Sequence, residues 1–280
     1  MKPMNELLNF SLINIDKPAG PTSYSISEFV KRQLKLKKTS HMGTLDPKVT
    51  GVLPITLGRA CKLAGYFIKH DKKYVGILHT HKEQDIEELQ KLINKNFVGK
   101  IKQTPPHRSA VKREERERTV YNWDLLEAGE NNKEFLFESK VEGGTYIRKI
   151  CSDLGEIIGG AHMGELRRTE AGIFNESKIY NLHNFKSALD KWKDGNEEEL
   201  RQMLIPAEDA IKKVLPVVEV DKSAIKSLYI GKPLFSSNVI GEPKIKEGEF
   251  FALFCKAKFI GIYKKSAEEI IFARSEFVFN

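Results

Sequence analysis

Asp46 is a candidate catalytic carboxylate that lies between turn-forming residues and two apolar runs. Gly43, Pro47 and Gly51 interrupt the stretch 41–55 so often that neither one helix nor one strand can run through it. Asp46 is therefore predicted to lie on a loop, and loops held by a rigid scaffold are where catalytic groups concentrate. An Asp before Pro is also an ordinary turn former, because its side chain can bond the backbone two residues on. From this stretch alone, the structural turn is the favoured interpretation.

His79 and His81 form a second candidate group, on one face of a predicted strand over residues 73–81. A His-x-His pair can ligate a metal, but no Cys, Asp or further His recurs at ligand spacing, so a surface pair is favoured over a zinc site. Three cysteines lie far apart, at Cys61, Cys151 and Cys255. Their number and spacing fit neither a disulfide framework nor a zinc knuckle, and they imply a reducing compartment. No metal or organic cofactor is predicted.

Two basic segments are candidates for phosphate contacts. Residues 31–38 carry five positive charges without an acidic residue, and residues 100–118 carry seven against three acidic side chains. Pro105-Pro106 interrupts the second segment as an extended loop, because each proline disfavours helix at the preceding residue. This second segment is the better candidate for a nucleic-acid contact. A solvated charged arm is the alternative, since basic runs are common on surfaces.

The composition is that of a folded protein with a polyanionic partner. Of the 280 residues, 40% are hydrophobic and 30% are charged, and 46 Lys and Arg outnumber 38 Asp and Glu to give a net charge of +8. Residues 1–10 contain no apolar run typical of a signal peptide, and no stretch of about 18 apolar residues is present. A cytosolic or nuclear location is expected.

Short elements are predicted to position Asp46. A strand over residues 12–15 ends at a turn with two prolines and a glycine, which places Lys17 on a loop. Helical spacing follows up to residue 34, with Ser25 and Glu28 available as a capping box. Residues 52–57 are typical of a short buried strand that follows the Asp46 loop.

Further along the chain, the pattern predicts a helix over residues 86–97 and a hairpin of two strands, 119–126 and 134–141. A clean apolar stripe over residues 147–158 predicts a helix that begins beside Arg148. The helix macrodipole disfavours an arginine at this end, which predicts a partner such as a buried carboxylate, although a solvent-facing arginine costs little.

Beyond Pro216 the pattern changes to short strand candidates separated by Gly and Pro. A domain boundary is therefore predicted at about Leu215, between a domain of residues 1–215 and a small β-rich domain of residues 216–280.

Six motifs occur in the order that is typical of the dyskerin/TruB family of RNA pseudouridine synthases, and this resemblance covers essentially the whole chain. The motifs are Asn14-Ile15-Asp16-Lys17-Pro18-Ala19-Gly20, Gly43-Thr44-Leu45-Asp46-Pro47 with Thr50-Gly51-Val52-Leu53-Pro54, Lys73-Tyr74, Pro105-Pro106 with Ser109-Ala110-Val111-Lys112-Arg113, Gly144-Thr145-Tyr146-Ile147-Arg148, and Ala161-His162-Met163 with Leu166-Arg167-Arg168-Thr169. The resemblance implies an α+β fold, with a mixed, mainly antiparallel sheet and flanking helices in a catalytic domain. It also implies that residues 216–280 form a small β-barrel-like PUA domain that binds RNA.

Within this family, the chain looks closer to the archaeal and eukaryotic catalytic subunit of H/ACA ribonucleoproteins than to bacterial TruB. The connection after the Tyr74 strand is short, where TruB carries a longer insertion that clasps transfer RNA. The resemblance therefore implies H/ACA guide RNA, substrate RNA and small accessory proteins as partners, with one copy of the chain per particle. No lysine-rich tail follows Asn280, which favours an archaeal, cytoplasmic protein over a eukaryotic, nucleolar one.

The resemblance assigns roles to particular residues. It implies that Asp46 is the catalytic carboxylate, Tyr74 the residue that stacks on the base, and Arg148 the ion partner of Asp46. It also implies that Lys17, His41, Lys112 and Leu166 contact substrate or RNA, with Leu166 as an apolar wall of the uridine pocket. An aromatic face recovers stacking energy for a flipped base, about 1–3 kcal/mol, and a nearby arginine favours an ionised carboxylate.

Asp46 is expected either to attack the sugar as a nucleophile or to take a proton from C2′ and make a glycal. The main hypothesis is a guide-dependent synthase that acts mainly on ribosomal RNA. The second is an enzyme that modifies transfer RNA alone, and the third is a non-catalytic RNA-binding scaffold. The presence of Asp46, Tyr74 and Arg148 argues against the third.

Overall fold

The computed structural model describes residues 2–105 and 112–280. The chain divides into two compact units, residues 1–204 and 205–280. Each unit has its own β-sheet and its own hydrophobic core. The predicted class is confirmed: a mixed, mainly antiparallel sheet with flanking helices in the first unit, and a small barrel-like sheet in the second.

The first unit consists of a large sheet and the helices around it. Its strands are β1 (Phe10–Lys17), β2 (Thr39–His41), β3 (Thr50–Gly58), β4 (Lys72–Thr80), β5 (Gly99–Gln103), β6 (Arg116–Ala128), β7 (Glu134–Val141), β8 (Ala161–Ala171) and β9 (Phe174–Asn175). Its helices are α1 (Met4–Asn9), α2 (Ser23–Gln33), α3 (Ala64–Ile68), α4 (Ile86–Phe97), α5 (Ile147–Ile158), α6 (Leu182–Lys193) and α7 (Glu198–Met203).

Among the strands that lie wholly within the first unit, the order in this sheet is β1-β3-β8-β4-β7-β6-β5, with β2 paired to β3 and β9 paired to β8. The β3–β8 pair is parallel, and the neighbouring pairs along this path are antiparallel. The loop that precedes β3 therefore lies close to β8, and β8 is the strand next to β4. This order brings Asp46 and Tyr74 to the same region of the sheet.

The sequence pattern predicts several of these elements well. Burial alternates along β4. Helix α5 buries the predicted stripe as far as Leu154, whereas Ile157 is 51% exposed, and the helix is capped by Gly159, which has a left-handed φ of +83°. The cap of α2 differs from the prediction: Thr22 accepts from the Ser25 N–H, and Glu28 forms an ion pair with Lys31 at 2.6 Å. The capping box is wrong because α2 begins earlier than its apolar stripe.

The second unit contains a six-stranded sheet of order β12-β16-β15-β14-β11-β13. Its strands are β11 (Val217–Val220), β12 (Leu234–Phe235), β13 (Val239–Ile240), β14 (Phe250–Cys255), β15 (Lys258–Lys265) and β16 (Ile271–Val278), and its helices are α8 (Ala207–Ile211) and α9 (Ile225–Tyr229); strand β10 (Leu204–Pro206) lies at the division between the units. This division falls before the predicted boundary at Leu215. The Lys212 ammonium lies 4.6 Å from the Phe254 ring centroid, which joins the segment after α8 to the second unit.

Candidate active site

The Asp46 loop, residues 42–49, connects β2 to β3. Leu45 and Val49 are buried and anchor the loop to the core. Ser23 fixes the backbone of Leu45 on both sides, because its Oγ accepts from Leu45 N at 2.8 Å and donates to Leu45 O at 3.0 Å. The Asp46 side chain remains 43% exposed. The loop therefore has a fixed main chain and presents one accessible carboxylate.

Lys17 holds this loop from inside the protein. It is the last residue of β1 and is fully buried. Its Nζ donates to three main-chain carbonyls, those of Pro18, Pro47 and Val49, at 2.9, 3.0 and 2.8 Å. Burial lowers the pKa of Lys17, and the negative charge of Asp46 opposes that shift. The predicted placement on a loop is wrong, and the occupied ammonium favours support of the Asp46 loop over the predicted contact with RNA.

Arg168 is a second buried cation beside the loop, with 1% of its surface exposed. Its Nε donates to Val52 O at 2.8 Å and its Nη2 to Gly43 O at 3.0 Å. Burial lowers the pKa of Arg168, and the Tyr74 phenol beside it opposes that shift. Gly51 lets the chains approach here, since a Cβ at this position would lie 2.2 Å from the carbonyl oxygen of Arg168. Both ends of the Asp46 loop are therefore fastened to β8.

Arg148 approaches Asp46 from the opposite, solvent side. Its Nη1 lies 3.3 Å from Asp46 Oδ2, and 52% of its side chain is exposed. It is the second residue of α5, as the sequence predicts. The partner expected for an arginine at a helix start is thus Asp46, although this carboxylate is half exposed where a buried one was expected.

Tyr74 and Leu166 lie together beside the Asp46 loop. Tyr74 of β4 is 8% exposed and pairs in register with Arg168, while Leu166 of β8 is 7% exposed and pairs with Gly76. Paired residues of an antiparallel ladder point to the same face, so Tyr74 and Leu166 share one face of the sheet. A Cβ at Gly76 would lie 2.7 Å from Leu166 Cδ1, so this glycine leaves the space that Leu166 occupies.

His41 lies at the end of β2, where the Asp46 loop begins. Its Nε2 is 3.2 Å from Thr44 Oγ1. Burial, followed by the charge of Arg168, lowers the pKa of His41, so the imidazole is neutral at pH 7. A neutral ring can donate or accept a hydrogen bond but cannot attract a phosphate by charge.

Lys112 lies away from these groups in sequence and is exposed, within the basic segment of residues 100–118. It forms an ion pair with Glu114. Within the same segment, the lysines of β5 are paired with acidic side chains: Lys100 with Glu117 at 3.0 Å and Lys102 with Glu115 at 3.4 Å. The predicted motif residues between 106 and 111 lie outside the described residues. Part of the predicted positive charge of this segment is therefore compensated within it.

His79 and His81 lie near His162, a neighbour that the sequence pattern does not indicate. The rings of His79 and His162 are stacked with centroids 5.1 Å apart, and His79 Nδ1 lies 3.3 Å from Glu134 Oε1. Within residues 2–105 and 112–280, no group of three His, Cys, Asp or Glu side chains is arranged to hold a metal ion. Across the same residues, every helix is too short or too polar to span a bilayer.

The arrangement gives one accessible carboxylate, a cation 3.3 Å from it, and an aromatic ring with an apolar side chain on the adjacent strands. Sequence reasoning missed the support given by Arg168. The pattern of charges alone predicts that Arg168 lies on the surface. Its place in the Leu166-Arg167-Arg168-Thr169 motif is the sequence signal that could have indicated its role. The adjacent Arg167 bonds Asp16 at 2.9 Å, which joins β8 to β1.

Comparison with known proteins identifies the family. Residues 31–147 match the model of the TruB family pseudouridylate synthase N-terminal domain, and residues 148–212 match that of the tRNA pseudouridylate synthase B C-terminal domain. A protein of Methanopyrus kandleri named probable tRNA pseudouridine synthase B is 41% identical over 97% of this chain and 81% of its own length. The relative of the same name in Korarchaeum cryptofilum is 42% identical over 90% of this chain and 78% of its own length.

Solved structures agree with this assignment. A chain from a complex of Cbf5, Nop10 and Gar1 has a TM-score of 0.90 and 36% identity, and covers 100% of this chain and 88% of its own. A chain from an H/ACA ribonucleoprotein bound to a substrate RNA with 2′-deoxyuridine has a TM-score of 0.87 and 33% identity over the same shares. The protein belongs to the TruB family of pseudouridine synthases, which are RNA isomerases.

Proposed function

We propose that this synthase isomerises uridines in an RNA that an H/ACA-type guide RNA presents to it, mainly ribosomal RNA. Asp46 is the catalytic carboxylate, Tyr74 stacks on the flipped base, Leu166 is an apolar wall of the pocket, and Arg148 orients the Asp46 carboxylate. The observation that carries the catalytic part of this proposal is the 3.3 Å contact between Arg148 and Asp46, on a loop fastened next to the Tyr74 strand.

The reaction needs little more than these groups. The bond between N1 and C1′ breaks, the uracil turns, and a bond between C5 and C1′ forms. C5 loses its proton and N1 carries one in the product, so substrate and product are isomers and no co-reactant is consumed. Asp46 supplies either the nucleophile that attacks the sugar or the base that takes the C2′ proton. The aromatic ring and the apolar wall recover part of the stacking energy that the flipped base has lost.

Two observations support guide-dependent substrate positioning. The connection between β4 and α4 is only residues 81–85, so it has no room for the long insertion with which TruB clasps transfer RNA. The similarity to chains from H/ACA complexes extends over 100% of this chain. We further propose small accessory proteins as partners, since Nop10 and Gar1 are named with those chains, and an RNA-binding role for residues 216–280 as a PUA domain.

A second candidate function is guide-independent modification of transfer RNA. The names of the archaeal relatives, probable tRNA pseudouridine synthase B, favour it. The exposed Asp46–Arg148 pair serves either substrate equally, so the site itself does not distinguish the two.

Single-turnover modification assays distinguish them. The protein is incubated with a matched H/ACA guide and target RNA, with the target alone, and with transfer RNA alone, and pseudouridine is mapped in each. We expect modification of the target only with guide. Full-rate modification of transfer RNA without a guide would overturn the main proposal in favour of the second.

Asp46→Asn tests the site itself, because an amide is neither a nucleophile nor a base. We expect the single-turnover rate to fall at least about 1000-fold, with Asp16→Asn, which alters a carboxylate bound by Arg167 instead, as the comparison for charge loss. An Asp46→Asn variant that retained its rate would assign the chemistry to another group.

A further inference from the structure

Gln103 is the last residue of β5, and residues 104–115 connect it to the start of β6. Its side chain is buried, with 3% exposed. Its Nε2 donates to Tyr146 O at 3.2 Å, and its Oε1 accepts from Tyr146 N at 3.0 Å. The two bonds fix the orientation of the amide, because a reversed amide would set donor against donor and acceptor against acceptor.

Tyr146 is the residue from which α5 begins. Its carbonyl also accepts from Lys149 N at 3.1 Å and from Ile150 N at 3.2 Å, so the oxygen that Gln103 binds is the one that closes the first turn. A tyrosine cannot supply the short side-chain oxygen with which Ser, Thr, Asp or Asn caps a helix. The Gln103 amide therefore holds the main chain where the helix starts.

Arg148 follows Tyr146 by two residues and carries the guanidinium that reaches Asp46. Its side chain is long and 52% exposed, and an ion pair with this exposure holds its own geometry weakly. The direction of the guanidinium consequently depends on where α5 begins. A displacement of about 1 Å in a reacting or orienting group can cost about 100-fold in rate.

We propose that Gln103 is a positioning residue, which sets the start of α5 and through it the Arg148 guanidinium against the Asp46 carboxylate. This inference rests on the proposed role of that pair. It also joins the paired ends of β5 and β6, which flank residues 104–115, to the site, because Gln103 pairs in register with Arg116.

Gln90 of α4 provides a matched control. Its Nε2 donates to Trp123 O at 2.8 Å and its Oε1 accepts from Leu125 N at 2.6 Å, so it also holds the main chain through both atoms of its amide. It binds the part of β6 that lies away from Arg116. Gln103→Met and Gln90→Met each remove two bonds to the backbone with little change in side-chain length.

The experiment compares single-turnover kinetics of the wild type and both variants, with the RNA that the wild type modifies fastest. We expect Gln103→Met to lower the maximal rate about 100-fold with the concentration of RNA at half-maximal rate unchanged, and Gln90→Met to leave both values within twofold. In an Arg148→Gln background, Gln103→Met should cause no further loss, because both changes remove the same positioned guanidinium.

Equal rate losses in Gln103→Met and Gln90→Met would overturn the inference, because general destabilisation would then explain both. It is also overturned if the rate loss of Gln103→Met multiplies with that of Arg148→Gln in the double variant, because the two residues would then act independently. Hydrogen exchange of the residue 146–150 amides should accelerate in Gln103→Met alone, and unchanged exchange there also overturns it, whatever the activity. If the wild type modifies neither the guide-bound target RNA nor transfer RNA, the proposed function is overturned. The hydrogen-exchange result does not depend on that outcome.

Discussion

The Asp46 loop contacts cations on two sides, and the two sides differ in burial. On the inner side, Lys17 and Arg168 are buried and donate to main-chain carbonyls. On the outer side, Arg148 is half exposed and contacts the Asp46 carboxylate itself. Buried cations bound to the backbone determine where the loop lies, whereas the exposed cation acts on the carboxylate that we propose as the catalytic group.

The difference follows from the environment of each charge. A buried ammonium or guanidinium is costly unless its protons are bonded, so removal of one side of such a contact leaves carbonyls without donors and weakens the fold. An exposed ion pair contributes little to stability because water and salt screen it. The inner side should therefore control stability and the outer side activity.

Lys17→Met should have the largest effect on the fold. It removes the donor that three carbonyls share, and we expect the free energy of unfolding to fall by about 2–5 kcal/mol, because each buried carbonyl left without a donor costs about 1–3 kcal/mol. Both tryptophans, Trp123 and Trp192, belong to the first unit, so their fluorescence during urea unfolding reports on this unit. Lys73→Met is the control, since it removes only a part-exposed pair with Glu138 and should cost less than about 1 kcal/mol. Equal losses of unfolding free energy in Lys17→Met and Lys73→Met would contradict a greater contribution of the buried cations to stability.

Arg148→Gln should show the opposite behaviour. We expect the modification rate to fall about 100-fold, because Asp46 loses its orienting partner, while the free energy of unfolding changes by less than about 1 kcal/mol. Lys149→Gln is the control on the same helix turn, where the lysine pairs with Asp153. A stability loss as large as that of Lys17→Met would remove the distinction between the two sides of the loop.

Lys72, a further cation on the inner side, should contribute a smaller, pH-dependent part of the free energy of unfolding. It is buried on the inner side beside Gly43 and donates to the carbonyls of Ile68 and His70. Burial, followed by the charge of Arg168, lowers the pKa of Lys72 from 10.5 to about 8. Between these values the unfolded chain keeps a proton that the folded protein has lost, so the stability that this residue contributes rises with pH.

Urea unfolding of the wild type and Lys72→Met at several pH values measures this contribution. The difference in unfolding free energy should shift in favour of the wild type as the pH rises from about 8 to 10.5, and should be constant from pH 6 to 7. A difference that does not change above pH 8 would mean that the Lys72 ammonium titrates as if it were in water.

The sequence by itself determined the local features of this site. The glycines and proline around Asp46 predict a loop, and the apolar stripe of α5 predicts a helix with Arg148 at its start, because turn chemistry and helical periodicity depend only on neighbouring residues. The resemblance in six collinear motifs supplied the family and the pairing of Asp46 with Arg148. The alternation along β4 likewise predicts the side on which Tyr74 lies.

Only the tertiary structure decided which cations are buried. Lys and Arg are ordinarily surface residues, and nothing in the residues around Lys17 indicates that its ammonium meets the carbonyl of Val49. Strand β8, which carries Arg168, lacks a clear period-2 pattern and becomes a central strand only because β3 and β4 pair with it. These contacts join residues more than 30 positions apart, and their energies depend on burial that exists only in the folded protein.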